Sequence, residues 1–87
     1  MIRLNKQQAI AKFGEDVVKE ATENVEVEPT SRMMYPAFEP PSHIGKQEYA
    51  AQKTVDTDGY RLQAYWYGND IENLDDSTLE IEAEEIW

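Results

Sequence analysis

The chain contains no cysteine and a single histidine. Disulfides, thiolate catalysis and cysteine-ligated zinc or iron–sulfur centres are therefore excluded, and nothing calls for an oxidising compartment. Long apolar runs are missing too. No stretch approaches the length needed to cross a bilayer, and the opening Met1-Ile2-Arg3-Leu4-Asn5-Lys6 lacks the apolar core of an export signal. The expected location is the cytoplasm. The four glycines, Gly14, Gly45, Gly59 and Gly68, are too scattered to build a phosphate-cradling loop.

The most telling absence is positive charge in the C-terminal part. From Leu62 to Trp87 there is no Lys or Arg, against eight carboxylates: Asp70, Glu72, Asp75, Asp76, Glu80, Glu82, Glu84 and Glu85. That stretch carries −8 of a formal −10, while residues 1–61 hold ten acids against all eight bases. Such a field repels phosphate backbones and anionic lipid surfaces, so neither nucleic acid nor a membrane is an expected direct partner. It attracts a strongly basic protein surface and speeds association with it, most of all at low salt.

What is present suits one small domain. At 87 residues the core is shallow, yet a hydrophobic content of 40% is too high for a fully disordered chain. Asn5 can cap a helix, with Gln8 as its capping-box partner and Leu4 placed to staple against Ala9. Ala9, Ile10, Phe13, Val17 and Ala21 then form an apolar stripe at helical spacing. Gly14 lies inside it, so the helix bends there or two short helices meet. The segment could open a helix-turn-helix, but Glu15-Asp16-Val17-Val18-Lys19-Glu20 provides no basic recognition helix.

Asn24 to Glu28 alternates valine with acid and reads as a short edge strand ending at Pro29. Pro29 to Gly45 holds four prolines in 17 residues, too many for helix or central strand, and is expected to be a loop that folds Met33, Met34, Tyr35 and Phe38 over the core. Gln47–Val55 and Tyr60–Tyr67 have strand composition about the turn Asp56-Thr57-Asp58-Gly59, a β-hairpin. In its second arm Tyr60, Leu62, Ala64 and Trp66 face the core, and Arg61, Gln63, Tyr65 and Tyr67 face away. Between Thr78 and Glu84, Leu79, Ile81 and Ala83 alternate with Glu80, Glu82 and Glu84, the period of a half-buried strand, with a slip of phase at Glu84-Glu85 of the kind a bulge causes.

The expected architecture is α+β: an N-terminal amphipathic helix on a three- or four-stranded antiparallel sheet. Residues 1–23 are helical, 24–28 a short strand, 29–45 a Pro-rich loop, 46–67 the hairpin, and 68–87 an acidic loop and strand. The chain is a monomer or a homodimer joined through an exposed edge strand.

Enzymatic readings find little support. His43 stands beside Ser42 in the Pro-rich stretch, with no signature that places a carboxylate to orient it. Paired carboxylates need contrasting environments in a cleft, which a domain this small rarely provides. Asp70, Glu72, Asp75 and Asp76 fall within seven residues but lack the glycine and the spaced glutamate of an EF-hand loop, so no specific metal is expected. Neither a catalytic residue nor a cofactor is read from the sequence.

Two readings of the acidic strand stand side by side. Glu80, Glu82 and Glu84 would lie about 6.5–7 Å apart on one face, the scale of successive phosphates in a nucleic-acid strand, which suggests charge mimicry. The bland alternative is a solvated face whose like charges keep an edge strand from pairing. Tyr65 and Tyr67 are either cover for the second face of a thin sheet or exposed aromatic anchors ringed by charge. With the latter, the protein would be a structural or assembly adaptor for an apolar partner.

In its small size, lack of cysteine and crowding of Asp and Glu into Gly68-Asn69-Asp70-Ile71-Glu72-Asn73-Leu74-Asp75-Asp76-Ser77-Thr78-Leu79-Glu80-Ile81-Glu82-Ala83-Glu84-Glu85-Ile86-Trp87, the chain resembles the acidic inhibitors of bacteriophages and mobile elements, including anti-CRISPR and anti-restriction DNA mimics. The resemblance is one of class and carries no motif. It implies a protein inhibitor that occludes a basic, nucleic-acid-binding surface of a host defence or nucleic-acid-processing protein. Because the acids are confined to one end, a one-sided plug is expected rather than a mimic of a full duplex. The residues expected to bind the partner are Asp70, Glu72, Asp75, Asp76, Glu80, Glu82, Glu84 and Glu85, with Tyr65 and Tyr67.

Overall fold

A computed structural model describes residues 2–33, 46–74 and 76–86. The elements are β1 (Ile2–Asn5), α1 (Lys6–Phe13), α2 (Glu15–Thr22), β2 (Val27–Met33), β3 (Gln47–Thr57), β4 (Tyr60–Gly68) and β5 (Glu80–Glu85), with 3-10 turns at Ile71–Asn73 and Asp76–Thr78. The protein is α+β, with two helices and one antiparallel sheet in the order β1-β5-β4-β3-β2. The sheet has five strands, not three or four. The additional strand is β1, whose Ile2-Arg3-Leu4-Asn5 alternates apolar and polar side chains but is too short for periodicity to reveal.

Asn5 ends β1 and caps α1 at the same time. Its side chain accepts from the Gln8 amide at 2.8 Å while Gln8 Oε1 accepts from the Asn5 amide at 3.0 Å, a complete capping box that turns strand into helix without a linker. Two helices meet at Gly14, whose φ of 98° and ψ of 151° only glycine adopts readily. The break lets each short helix turn its own apolar residues inward: Ala9 and Phe13 from α1, Val18 and Ala21 from α2.

Those residues pack on one face of the sheet, against Ala51, Leu62, Ala64, Trp66, Leu79, Ile81 and Ala83. Leu62, Ala64, Ile81 and Ala83 have no exposed surface. Phe13 meets the Tyr60 ring edge-on at 5.5 Å between centroids.

The β3–β4 hairpin turns on two residues. Asp58 (φ 49°) and Gly59 (φ 79°) both occupy the left-handed region, the geometry that matches the twist of a tight hairpin. Its ladder is interrupted between Ala50 and Thr54, where β3 bulges. Gln63 Nε2 donates to the Ala51 carbonyl at 2.7 Å and the Gln52 amide to the Glu26 carbonyl at 2.8 Å, satisfying groups the bulge releases. No slip occurs at Glu84-Glu85: β4 and β5 stay in register from Tyr60↔Glu85 to Tyr65↔Glu80.

β2 starts at Val27 and not at Asn24, which has a positive φ of 54°. It also runs through Pro29 to Met33, taking in the first part of the expected loop. Pro29 is tolerated because β2 is the edge of the sheet, so the amide it lacks is not needed on the open side, and the register shifts beyond it. The rest of the Pro-rich stretch, with Met34, Tyr35, Phe38 and His43, lies outside the described residues. No helix among the described residues is long and apolar enough to cross a membrane.

Candidate functional site: an acidic sheet face built around Arg3

Side chains directly opposite one another in a sheet share a face, so the pairing register fixes what the side away from the helices carries. One row across that side is Arg3, Glu82, Gln63 and Thr54. The next is Asn5, Glu80, Tyr65, Ala50 and Glu28. A third joins Glu84, Arg61 and Asp56, and a fourth pairs Tyr67 with Glu48. These rows bring six carboxylates against two guanidiniums, a formal −4. Helices α1 and α2 on the opposite side hold three lysines (Lys6, Lys12, Lys19) and three acids (Glu15, Asp16, Glu20), so the helices themselves are neutral.

At the centre of the acidic side lies Arg3. Its guanidinium reaches Glu48 Oε2 at 3.2 Å, Glu80 Oε1 at 3.5 Å and Glu82 Oε2 at 3.0 Å, and donates to the Tyr67 hydroxyl at 2.6 Å. It lies 4.1 Å above the centroid of the Tyr65 ring, a cation–π contact. Glu48 is buried, at 3% exposure, and its Oε1 also accepts from the Thr30 hydroxyl at 3.1 Å. The Tyr67 hydroxyl lies 3.1 Å from both Glu48 Oε2 and Glu80 Oε1, and donates its one proton to either.

This arrangement shifts both partners of the shortest contact. Burial pushes the Tyr67 hydroxyl well above its usual range; Arg3 pulls it down, but Glu80 and Glu48 push it further up, so it stays protonated. For Arg3, burial works against the charge but is outweighed by Tyr67, Glu48 and Glu82, which hold the guanidinium above its ordinary value. Three carboxylates around one arginine leave the cluster two negative charges in excess.

The acidic strand expected from the sequence thus divides. Leu79, Ile81 and Ala83 are buried, while Glu80 and Glu82 are half-buried in the grip of Arg3. Glu84 is exposed opposite Arg61, which Asp56 engages at 3.0 Å; that hydrogen bond and the charges of Asp56 and Glu84 raise the Arg61 pKa. Glu85 is exposed on the helix side, where it lines a shallow open recess with Asp58, Gly59 and Tyr60. The stretch without bases is therefore met by bases from elsewhere, Arg3 across β5 and Arg61 from β4.

In the acidic connection, Asp70, Glu72 and Asp76 are all exposed. Asp70 Oδ1 accepts from the Glu72 amide at 3.0 Å, and Asp76 Oδ1 from Trp66 Nε1 at 3.3 Å, which anchors the connection to the core. Asp75 lies outside the described residues. Among the described residues no cluster of His, Asp and Glu is arranged to hold a metal ion.

Tyr67 has no exposed surface, so it belongs to the interior and not to the aromatic surface that strand parity suggests. Tyr65 is half-buried beneath Arg3, its hydroxyl donating to Gln63 Oε1 at 3.1 Å. Arg3, Glu28, Glu48 and Asp56 were not among the residues expected to matter. The alternation of Ile2-Arg3-Leu4 was a signal for the first, but the meeting of distant strands that recruits the others leaves no mark in the sequence.

No protein-family model matches the chain, and no curated protein or solved structure is significantly similar to it.

Proposed function

We propose that this protein is a non-enzymatic inhibitor that docks its acidic surface on a basic, nucleic-acid-binding surface of another protein and blocks it, in the manner of anti-CRISPR and anti-restriction DNA mimics. The observation that carries the reading is the concentration of acid on the outer sheet face: its described rows sum to a formal −4, while helices α1 and α2 are in themselves neutral. Such a body has one side that orients toward a cationic groove and another that does not, which suits a one-sided plug. The partner is thus a protein, not nucleic acid or membrane, and the inhibitor acts in the cytoplasm where that partner works.

The contact surface in this reading consists of Asp70, Glu72, Asp76 and Glu84, which are exposed, extended by Glu80 and Glu82. The alternative of an apolar adaptor loses its strongest anchor, because Tyr67 is fully buried.

The test separates surface charge from structural charge. Among the described residues no hydrogen bond to the Glu72 or Glu84 carboxylate holds the fold, so Glu72→Gln with Glu84→Gln should slow association with a basic partner while leaving the melting temperature nearly unchanged. Glu80→Gln with Glu82→Gln would disturb the Arg3 cluster and confuse the two effects. Affinity that ignores both the exposed substitutions and a rise in salt from about 0.05 to 0.5 M, over which the screening length contracts severalfold, would refute the reading.

A further inference from the structure

We infer that β1 and α1 form one exchangeable unit hinged at Gly14, which two copies of this chain swap, each delivering its Arg3 into the other's Glu48–Glu80–Glu82 cradle. The occupant of the exchanged site is a second copy of this chain. The inference stands apart from the acidic-face reading, and either can fail alone.

The hinge is a single residue. Ala9, Ile10, Phe13, Val17 and Ala21 run at helical spacing through Gly14 as though one helix continued from Lys6 to Thr22, yet the chain breaks there, at φ 98° and ψ 151°. On either side the ladder of a continuous helix is already in place, with the Gly14 amide on the Ile10 carbonyl at 2.9 Å and the Val18 amide on the Gly14 carbonyl at 3.3 Å. The extended ψ holds the three bonds in between apart, those from the amides of Glu15, Asp16 and Val17 to the carbonyls of Ala11, Lys12 and Phe13. α2 opens on Gly14 with no side-chain cap; Glu15 and Asp16 beside its positive end favour its first turn and keep the bent chain the form of the dilute monomer. Straightening the joint completes the three bonds and swings α1 outward on a helix about 25 Å long, away from its own sheet.

What swings is a unit with a ready-made seat. The Asn5–Gln8 capping box joins β1 to α1 with no linker, so the two move together. The groups that receive them lie beyond the hinge: Glu80, Ile81, Glu82 and Ala83 pair with Ile2–Asn5, Tyr60 meets Phe13, and Glu48, Glu80, Glu82 and Tyr65 enclose Arg3. In an exchanged pair these contacts are remade between copies, so the hinge and the joining of two bodies are what differ in free energy. A one-residue hinge between packed elements is the kind of connection that favours exchange.

Gly14→Ala disfavours the bend and strengthens helix at that point, and a Cβ there meets nothing within 4 Å, so packing does not interfere. The native chain, Gly14→Ala and a synthetic chain with D-alanine at position 14 are refolded at millimolar concentration and weighed by light scattering after size exclusion. The expected result is a dimer that Gly14→Ala favours about 100-fold or more over the native chain. D-alanine, which keeps the positive φ, should not favour it, and added salt should strengthen it, because two copies at −10 repel. In a mixture of isotope-labelled and unlabelled copies, nuclear Overhauser contacts between Leu4 and Ile81, partners across β1 and β5, should pass from one copy to the other. Four results would each overturn the inference: native chain and Gly14→Ala both monomeric, a dimer whose Leu4–Ile81 contacts stay within a copy, equal dimer formation with D-alanine, or a dimer that salt dissolves. Should Gly14→Ala fail to fold, the native chain refolded at high concentration carries the same contact test. Salt also separates this inference from the acidic-face reading, since it strengthens the exchange and weakens docking on a basic partner.

Discussion

Arg3 and Tyr67, 64 positions apart in the sequence, share a hydrogen bond of 2.6 Å. It ties an edge strand to a central one across the intervening β5, and it does so from the solvent side of the sheet. The second face is thus organised by a buried polar network where the first is organised by apolar packing. The two make different predictions.

Removing the Tyr67 hydroxyl with Tyr67→Phe deprives both the Arg3 guanidinium and a glutamate of a buried partner. A loss of about 1–3 kcal/mol in urea unfolding at neutral pH is expected. Arg3→Ala should be worse, about 3–5 kcal/mol, because Glu48, with its side chain 4% exposed, is left in the interior without its cation. If both variants unfold with the native chain, the network adds nothing to stability.

The raised Tyr67 pKa implies a fall in stability at alkaline pH. A group that holds its proton more tightly when folded stabilises the protein fully below its unfolded pKa, near 10 for tyrosine, and loses that contribution as pH rises toward the folded value. Melting temperature should therefore drop above about pH 10, and Tyr67→Phe should flatten part of the drop. Absorbance at the phenolate band should show Tyr67 ionising together with unfolding.

Thr78 is nearly the size of valine and is 1% exposed. Its hydroxyl accepts from the Tyr67 amide at 3.0 Å and lies 3.1 Å from the Tyr67 carbonyl. Thr78→Val keeps the shape and removes the bonds, so the expected cost, about 1–3 kcal/mol by thermal or urea unfolding, measures the polar contribution alone.

Gly14 has open space where a Cβ would stand, so a substitution there tests the backbone and not packing. Gly14→Ala should cost about 1–3 kcal/mol because φ of 98° with ψ of 151° is reserved for glycine. A D-alanine installed at the same position by chemical synthesis should cost little, since its mirror-image preferences fit.

Much of the helix-facing side was legible in the sequence. Asn5 with Gln8 announced a capping box, Asp58-Gly59 a tight turn, and the alternation through Leu79, Ile81 and Ala83 a strand with a buried face. These are local signals, each carried by residues a few positions apart. The strand count failed for a reason of length: β1 has four residues, and an alternation so brief cannot be told from a helix lead-in. Pro29 misled because it was read as a terminator, whereas an edge strand tolerates it. The site was half legible. Composition gave the excess of acid, but the mates of Glu80, Glu82 and Glu84 come from Arg3 and Arg61 on neighbouring strands, so the stretch read as unopposed is opposed in space.

The pairing of β1 with β5 also bears on how the molecule is made. Arg3 and Glu82 are 79 positions apart, so β1 must wait for β5, made much later, before it has its neighbour. The α1–α2 pair and the hairpin can form from residues close in sequence, but the acidic face is assembled only once β5 has been made. Until then Tyr67 lacks the cation that seals it, and closing so long a loop is an entropic step that slows the final stage of folding.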